Sequence, residues 1–393
     1  MYILHENDVW NDIRHLDDAW DRPDTFVFLP DKSGVSSEWI LDAMQSFPEH
    51  LHQGHFALLT SGSTGQPKIV IGAKARSENL ARTLHLIQDS EPVDEAVLML
   101  PLIYCYAFVN QWLWSRVMKR KLLVTRGFKE SSSAMKTLLS SINSMLCLVG
   151  AQSTLIKQNF GDNVFPGVIR LHFAGGQFPQ HDIDSIRRYF PNAQIFNNYG
   201  CAEAMPRLTI RRAEESSEGP NIGKPLPGIK LKTDECGRIF FQSIYSSVAY
   251  YDDYGYHAIG TDDWIPSGDL GEEIEDGYWR ITGRANEVFK RYGVKIALPT
   301  LLRAIHSKWH GQAVFYREKD PMGEDGHVLV LSPEPTNDDT RSILQAFRKN
   351  FPRTHWPIRL ESVKSFTTLP NGKIDVMKLS REEEKNVHWR LRI

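Results

Sequence analysis

Residues Thr60–Lys68 read Thr-Ser-Gly-Ser-Thr-Gly-Gln-Pro-Lys, and the rest of the chain is best read outward from them. They follow Phe56–Leu59, a short apolar run with the pattern of a buried strand. Glycines at 62 and 65 let the backbone turn sharply and bring its N–H groups close to an anion. Thr60, Ser61, Ser63 and Thr64 add hydroxyl donors, and Lys68 adds a positive charge. A Ser/Gly linker has a similar composition, but linkers seldom follow a buried strand or end in Pro-Lys. The loop therefore suits a polyphosphate. It is not the P-loop of nucleoside triphosphatases, which needs Gly-Lys-Ser/Thr adjacent, because Gln66 and Pro67 separate Gly65 from Lys68.

On either side, short apolar runs alternate with stretches of helical spacing. Phe56–Thr60, Ala96–Leu100, Lys121–Thr125, Leu146–Gly150 and Val168–Phe173 read as strands; Arg76–Gln88, Ser131–Met145 and Gln180–Tyr189 read as helices. This alternation implies an α/β fold with a largely parallel sheet. After Gly219 the texture changes to short strands with turn signals: Ile229–Thr233, Arg238–Gln242, Thr261–Pro266, and Gly271–Ile274 paired through Asp276-Gly277 with Tyr278–Thr282. That stretch predicts a small antiparallel β subdomain over residues 219–284. A second α/β pattern follows, with helices at Pro299–His306 and Asp338–Asn350 and strands at Ala313–Arg317 and His327–Ser332. The expected division is a large domain over residues 1–284 and a smaller C-terminal domain over 285–393, with the break near Gly283–Asn286.

Composition narrows the function classes. A chain of 393 residues exceeds one compact core, and 41% hydrophobic with 24% charged residues is ordinary for a folded domain protein. A formal net charge of −2 provides no global field for nucleic acid. The four cysteines, Cys105, Cys147, Cys201 and Cys236, form no CxxC pair, so neither a disulfide framework nor a zinc site is expected. No signal-like N-terminus and no long uncharged apolar run are present, so no membrane span is expected and a cytoplasmic location is.

With these residues in view, the chain resembles the adenylate-forming (AMP-binding) enzymes: acyl-CoA synthetases, peptide-synthetase adenylation domains and luciferases. Thr60–Lys68 is similar to that family's phosphate loop. Further signatures follow in order. Ala174-Gly175-Gly176-Gln177 is similar to the glycine turn near the base, and Asn197-Asn198-Tyr199-Gly200-Cys201-Ala202-Glu203 to the YGxTE segment. Trp264–Leu270 resembles the W-x-x-TGD segment, Gly283-Arg284 through Lys290 and Gly293 the hinge motif, and Leu369–Asp375 the C-terminal lysine motif. Taken singly, Tyr199 reads as a core aromatic, Asp269 as a turn residue and Glu203 as a solvated charge; their order along the chain favours a site.

The resemblance implies activation of a carboxylic acid by ATP, the carboxylate attacking the α-phosphorus and expelling pyrophosphate. Catalysis between two anions rests on charge neutralisation and alignment. By resemblance the loop Thr60, Ser61, Gly62, Ser63, Thr64, Gly65 and Lys68 holds the phosphates, and Glu203 is the Mg2+-linked carboxylate. Tyr199 stacks on adenine, with Asn198 and Gly175-Gly176-Gln177 along its edge and Gly200, Cys201 and Ala202 beside it. Asp269 accepts from the ribose hydroxyls, Arg284 is a fixed cation near ribose and phosphate, and Lys373 reaches the α-phosphate and carboxylate oxygens.

A second half-reaction is implied, in which the C-terminal domain turns about Asn286 and presents Lys290, Gly293 and Lys295 to a thiol, that of coenzyme A or of an acyl carrier protein's phosphopantetheine. Tyr104, Cys105 and Tyr106 fall on the family's segment beside the acyl pocket, where Phe108, Trp112 and Trp114 are candidates for an apolar lining or for core packing. Pro101–Trp114 contains no acidic residue to pair with an α-ammonium, so a fatty, aryl or polyketide-type acid is expected.

Two departures from the pattern stand out. Ala202 replaces the threonine of YGxTE, and a lost hydrogen bond to a charged group costs on the order of 1.5–3 kcal/mol. Only 59 residues precede Thr60, so the first sheet layer is expected to be pared down and its face to be exposed, used for a homodimer, or covered by another partner. The alternatives to an acid–thiol ligase are transfer of the acyl group to an amine or protein, and a degenerate nucleotide-binding protein without turnover.

Overall fold

The computed structural model describes residues 1–31, 35–61, 67–367, 374–382 and 384–391, with the side chains of 61, 67, 286, 295 and 303 left out. The chain divides into two compact units, one of Met1–Ser267 with Gly271–Ile281, the other of Gly268–Leu270 with Thr282 onward.

In the first unit, Tyr2–His5, Phe26–Leu29 and His55–Ser61 run parallel to one another. The chain then returns antiparallel as Pro67–Ala73, with Thr60 opposite Lys68. The loop thus joins two paired strands, and its two ends are fixed by a sheet. Ala249–Asp252 and Gly255–Ala258 complete this six-stranded sheet. The residues before Thr60 therefore build two whole parallel strands of that sheet and most of a third.

An eleven-stranded sheet faces it. Lys121–Val124, Glu95–Leu98, Ser144–Val149, Val168–Ala174 and Gln194–Tyr199 form its parallel part. Thr209–Arg212 and Asn221–Pro225 continue it antiparallel, followed by Trp279–Arg284, Ile265–Glu273, Arg238–Ser243 and Ile229–Thr233. Of the antiparallel strands expected after Gly219, Ile229–Thr233, Arg238–Ser243 and Trp279–Arg284 are present, while Thr261–Pro266 and Gly271–Ile274 give way to one strand, Ile265–Glu273. All of them extend the eleven-stranded sheet, and Ala249–Asp252 and Gly255–Ala258 are strands beyond those expected.

Strand pleat explains the layering. Phe26, Phe28, Phe56, Leu58 and Val70 point into one core, while the intervening Val27, Leu29, Ala57, Ile69 and Ile71 point into another. Ala96, Leu98, Met145 and Cys147 of the second sheet join the first of those cores, and Val97, Leu146 and Leu148 pack on its other side. The shared core carries Phe108, Trp112 and Trp114, each at most 2% exposed. These aromatics are core residues. The helix expected over Ser131–Met145 stops at Ser140, because Asn143 takes a left-handed φ of 45° just before the strand Ser144–Val149.

Helix Arg14–Asp21 ends against Lys74, whose Nζ donates to the carbonyls of Ala19, Trp20 and Arg22 at 3.2, 3.0 and 2.6 Å. A cation satisfying carbonyls at a helix C-terminus offsets both orphaned acceptors and the dipole. Lys74→Met is therefore expected to lower stability by about 2–3 kcal/mol, read as a lowered urea midpoint at unchanged slope. An unchanged midpoint refutes this role.

The second unit opens with a hairpin, Val288–Arg291 against Val294–Ala297. Its turn residues Tyr292 and Gly293 have φ of 50° and 78°, as a two-residue type I′ turn requires. Gln312–Lys319, Asp325–Ser332, Arg359–Ser362 and Asn386–Arg390 form a four-stranded sheet. Helix Asn337–Asn350 is started by a capping box: Thr336 Oγ1 accepts from Asp339 N at 3.1 Å, and Asp339 Oδ2 accepts from Thr336 N at 2.9 Å. Ile343 and Phe347 pack this helix on Leu329 and Leu331, together with helix Leu298–His306.

Candidate active site

In the first unit the ends of the loop lie on facing strands, and Thr60 Oγ1 donates to Lys68 O at 3.3 Å. Gly62, Ser63, Thr64 and Gly65 lie outside the described residues, as does the side chain of Ser61. Lys68 Nζ reaches Glu203 Oε1 at 2.7 Å, although 135 residues separate them. Their side chains are 19% and 22% exposed, so the pair is partly desolvated yet open on one side. Lys68 Nζ also sits 3.7 Å from the ring centroid of Tyr250, a cation–π contact. Tyr250 reaches that point because its strand pairs with Pro67–Ala73, Tyr250 opposite Val70.

Glu203 belongs to a short turn, Ala202–Ala204, just past the strand Gln194–Tyr199. Its carbonyl accepts from Ser247 N at 2.9 Å and Ser247 Oγ at 3.1 Å. Gly200 makes this geometry possible: a Cβ there would lie 1.8 Å from Pro206 O, so only glycine lets the chain pass. Tyr199, Cys201 and Ala202 are half-buried against the main core. Gly175, Gly176 and Gln177 are exposed at the end of the strand Val168–Ala174.

Asn198 points elsewhere than toward solvent. It is 2% exposed and its Oδ1 accepts from Arg207 Nη2 at 2.6 Å. Its Nδ2 lies 3.2 Å from Tyr106 Oη and 3.2 Å from His172 Nδ1. Tyr106 belongs to the segment expected beside the acyl pocket. Burial pushes its phenol well above the usual range. Tyr104 starts the helical turn Cys105–Ala107, and burial likewise raises its phenol. Cys105 is buried against Met205, Sγ to Sδ 3.9 Å, and burial with the nearby Glu203 charge pushes its thiol up. Cys105 is therefore an unreactive packing residue.

The second unit holds another charged pair of candidate residues. Arg284 Nη1 lies 2.9 Å from Asp269 Oδ1, with Asp269 at 6% and Arg284 at 46% side-chain exposure. Glu287 Oε2 accepts from Arg284 N at 3.2 Å, and burial raises the Glu287 carboxyl, opposed by Arg284. Lys290 is exposed on the hairpin strand and pairs across it with residue 295; Gly293 forms the hairpin turn. The side chain of Asn286 and the whole of Lys373 lie outside the described residues.

Tyr250, Ser247, His172 and Arg207 carry no sequence signal: each reaches the site through a strand pairing or a burial that no local pattern encodes. Among the described residues no group of three His, Cys, Asp or Glu is arranged to hold a metal. Nor does any helix among them have the length and apolarity to cross a membrane.

The family model for AMP-binding enzyme matches residues 8–239. The non-ribosomal peptide synthetase CmlP of Streptomyces venezuelae is 24% identical over 335 residues, 81% of this chain and 33% of that protein. This chain thus spans about a third of that relative. The D-alanine–D-alanyl carrier protein ligase of Staphylococcus haemolyticus is 23% identical over 341 residues, 81% of this chain and 69% of the ligase. Among solved structures, the o-succinylbenzoate CoA synthetase of Bacillus subtilis with its acyl-adenylate intermediate gives a TM-score of 0.73 at 14% identity, over 98% of this chain and 88% of that one. ATP-bound MatB from Rhodopseudomonas palustris gives 0.68 at 16% identity, over 82% and 67%. At these identities the structural likeness establishes the shared mixed α/β fold.

Proposed function

The chain belongs to the AMP-binding enzyme family, and from that premise we propose that it activates a carboxylic acid with ATP. The carboxylate oxygen bonds to the α-phosphorus, pyrophosphate leaves, and the acyl-adenylate then passes its acyl group to a thiol with release of AMP. The observation that carries this reading is the 2.7 Å approach of Lys68 to Glu203. It puts the cation ending the loop beside the one carboxylate of the YGxTE-like segment, a juxtaposition with no need in a linker or a core.

In this proposal the loop residues Thr60–Lys68 bind the β- and γ-phosphates, Tyr199 stacks on adenine and Asp269 binds the ribose hydroxyls. Arg284 balances ribose-side and phosphate charge, and Lys373 meets the α-phosphate. One carboxylate, Glu203, suits Mg2+, which keeps few protein ligands and takes the rest from phosphates and water. Bound there, Mg2+ supplies charge neutralisation. Lys68 and Glu203 hold each other in place.

The acid is proposed to be a fatty, aryl or polyketide-type acid. The matched carrier-protein ligases are named for D-alanine, yet Pro101–Trp114 offers no carboxylate for an α-ammonium. Coenzyme A and a carrier-protein phosphopantetheine are the proposed acceptors, Lys290 and Gly293 lying on the side that meets them after a turn about Asn286.

Acid-dependent exchange of labelled pyrophosphate into ATP, run over fatty, aryl, dicarboxylic and amino acids, tests the reading. Exchange with a non-amino acid is expected; exchange with amino acids only overturns the substrate class, and none at all favours a nucleotide-binding protein without turnover. Lys373→Ala is expected to reduce exchange by about 10²-fold or more with ATP binding nearly intact. Undiminished exchange sinks that role.

A further inference from the structure

Arg207 is 1% exposed and faces no carboxylate among the described residues. A guanidinium in that position is expensive, since burying an unpaired charge costs several kcal/mol. Burial pulls it down to about 10, still well above neutrality. A leucine or methionine would fill the space without that cost. What arginine adds is a rigid fork whose donors hold two neighbours at once.

The neighbours it holds are informative. Nη1 donates to Asn110 Oδ1 at 2.7 Å and Nη2 to Asn198 Oδ1 at 2.6 Å. Asn110 lies in Phe108–Leu113, which continues the helical stretch begun at Cys105, so it shares an element with the acyl-side residues. Asn198 directly precedes Tyr199 and the turn that carries Glu203. With its Oδ1 taken by Arg207, the Asn198 amide has one orientation, and its Nδ2 faces Tyr106 Oη and His172 Nδ1. His172 must then accept at Nδ1, so its ring is neutral, in keeping with the downward push from burial and from Arg207. His172 lies on the strand that ends at Gly175-Gly176. The guanidinium therefore holds two motif-bearing elements directly, and Asn198 ties in a third through His172.

We infer that Arg207 is a positioning residue that fastens the acyl-side helix to the nucleotide-side strand, so that the acid and ATP subsites keep one alignment. The inference rests on the ligase reading above and adds to it a determinant outside the motifs. Arg207→Lys retains the charge but loses the fork; Arg207→Met loses both; Asn110→Ala removes only the acyl-side acceptor.

In pyrophosphate exchange, Arg207→Lys and Arg207→Met are expected to raise KM for both acid and ATP about 10-fold or more. Asn110→Ala is expected to raise KM for the acid by about 10-fold and for ATP by less than about threefold. A purely structural Arg207 changes the folded fraction and leaves both KM values alone. Folded Arg207→Lys, judged by circular dichroism, with both KM values within about twofold of wild type overturns the inference. A wild type without exchange on any acid defeats the ligase reading instead. Alignment is then read from ATP titration of tryptophan fluorescence, where Arg207→Lys must weaken binding about tenfold, and equal affinity overturns it.

Discussion

Lys68→Ala should reduce acid-dependent pyrophosphate exchange by about 10²–10³-fold, the loss typical when a preorganised charge facing a reacting group is removed. The size follows from what Lys68 touches. Its ammonium is shared between the Glu203 carboxylate at 2.7 Å and the Tyr250 ring at 3.7 Å, in a site only about one-fifth exposed. Truncation removes the cation proposed to face the phosphates and also leaves Glu203 without its Lys68 partner, so the deficit exceeds that of one surface ion pair. Glu203→Gln should lose activity to a similar extent but show a different pattern. Its amide oxygen still accepts from Lys68, so ATP binding should persist while the Mg2+ concentration for half-maximal rate rises. Tyr250→Phe leaves the ring face in place and should change the rate by less than about threefold. Exchange by Lys68→Ala within about threefold of wild type would exclude the loop from phosphate binding.

How much of this was legible in the sequence depends on distance along the chain. The strand entering the loop announces itself through Phe56–Leu59, and the helix Asn337–Asn350 through its helical spacing, read from the sequence over Asp338–Asn350. The return strand Pro67–Ala73 does not, because Ile69–Ile71 is too short an apolar run to read alone; only its pairing with His55–Ser61 makes it a strand. The same holds for Ala249–Asp252, which is shaped by its partner Pro67–Ala73 and delivers Tyr250 to Lys68. Motif order located Lys68 and Glu203, yet their contact depends on two sheets packing around a shared core, a property of no single segment. Asn198 shows the converse. Its place beside Tyr199 suggests the nucleotide, while its side chain is drawn inward by Arg207, whose burial no pattern near residue 207 reveals.

Acid should destabilise the second unit through His327, with an effect on the order of 5 kcal/mol at most. This imidazole is fully buried between Phe289 and Phe315, at ring separations of 5.8 and 5.0 Å, with a backbone group of His355 opposing the effect of burial only in part. Burial lowers its pKa from 6.5 to about 3, and the Arg291 guanidinium, itself paired with Asp320 at 3.0 Å, adds to the fall. The unfolded chain therefore takes up a proton near pH 6.5 that the folded unit refuses until about pH 3. Stability from this group is complete above the unfolded value and declines as pH drops through the interval, by about 1.4 kcal/mol per unit. Carboxylates titrate over the lower half of the same range, so the histidine's share is isolated by difference. His327→Leu keeps an apolar filling without a titrating group, and the gap between variant and wild-type unfolding free energies should widen in the variant's favour from pH 7 to pH 4. Arg291→Met would narrow the gap by removing the nearby charge, though at the cost of leaving Asp320 buried without its cation. Parallel wild-type and His327→Leu profiles over that range would mean that the imidazole finds a proton acceptor in the folded state, and that its burial carries no penalty.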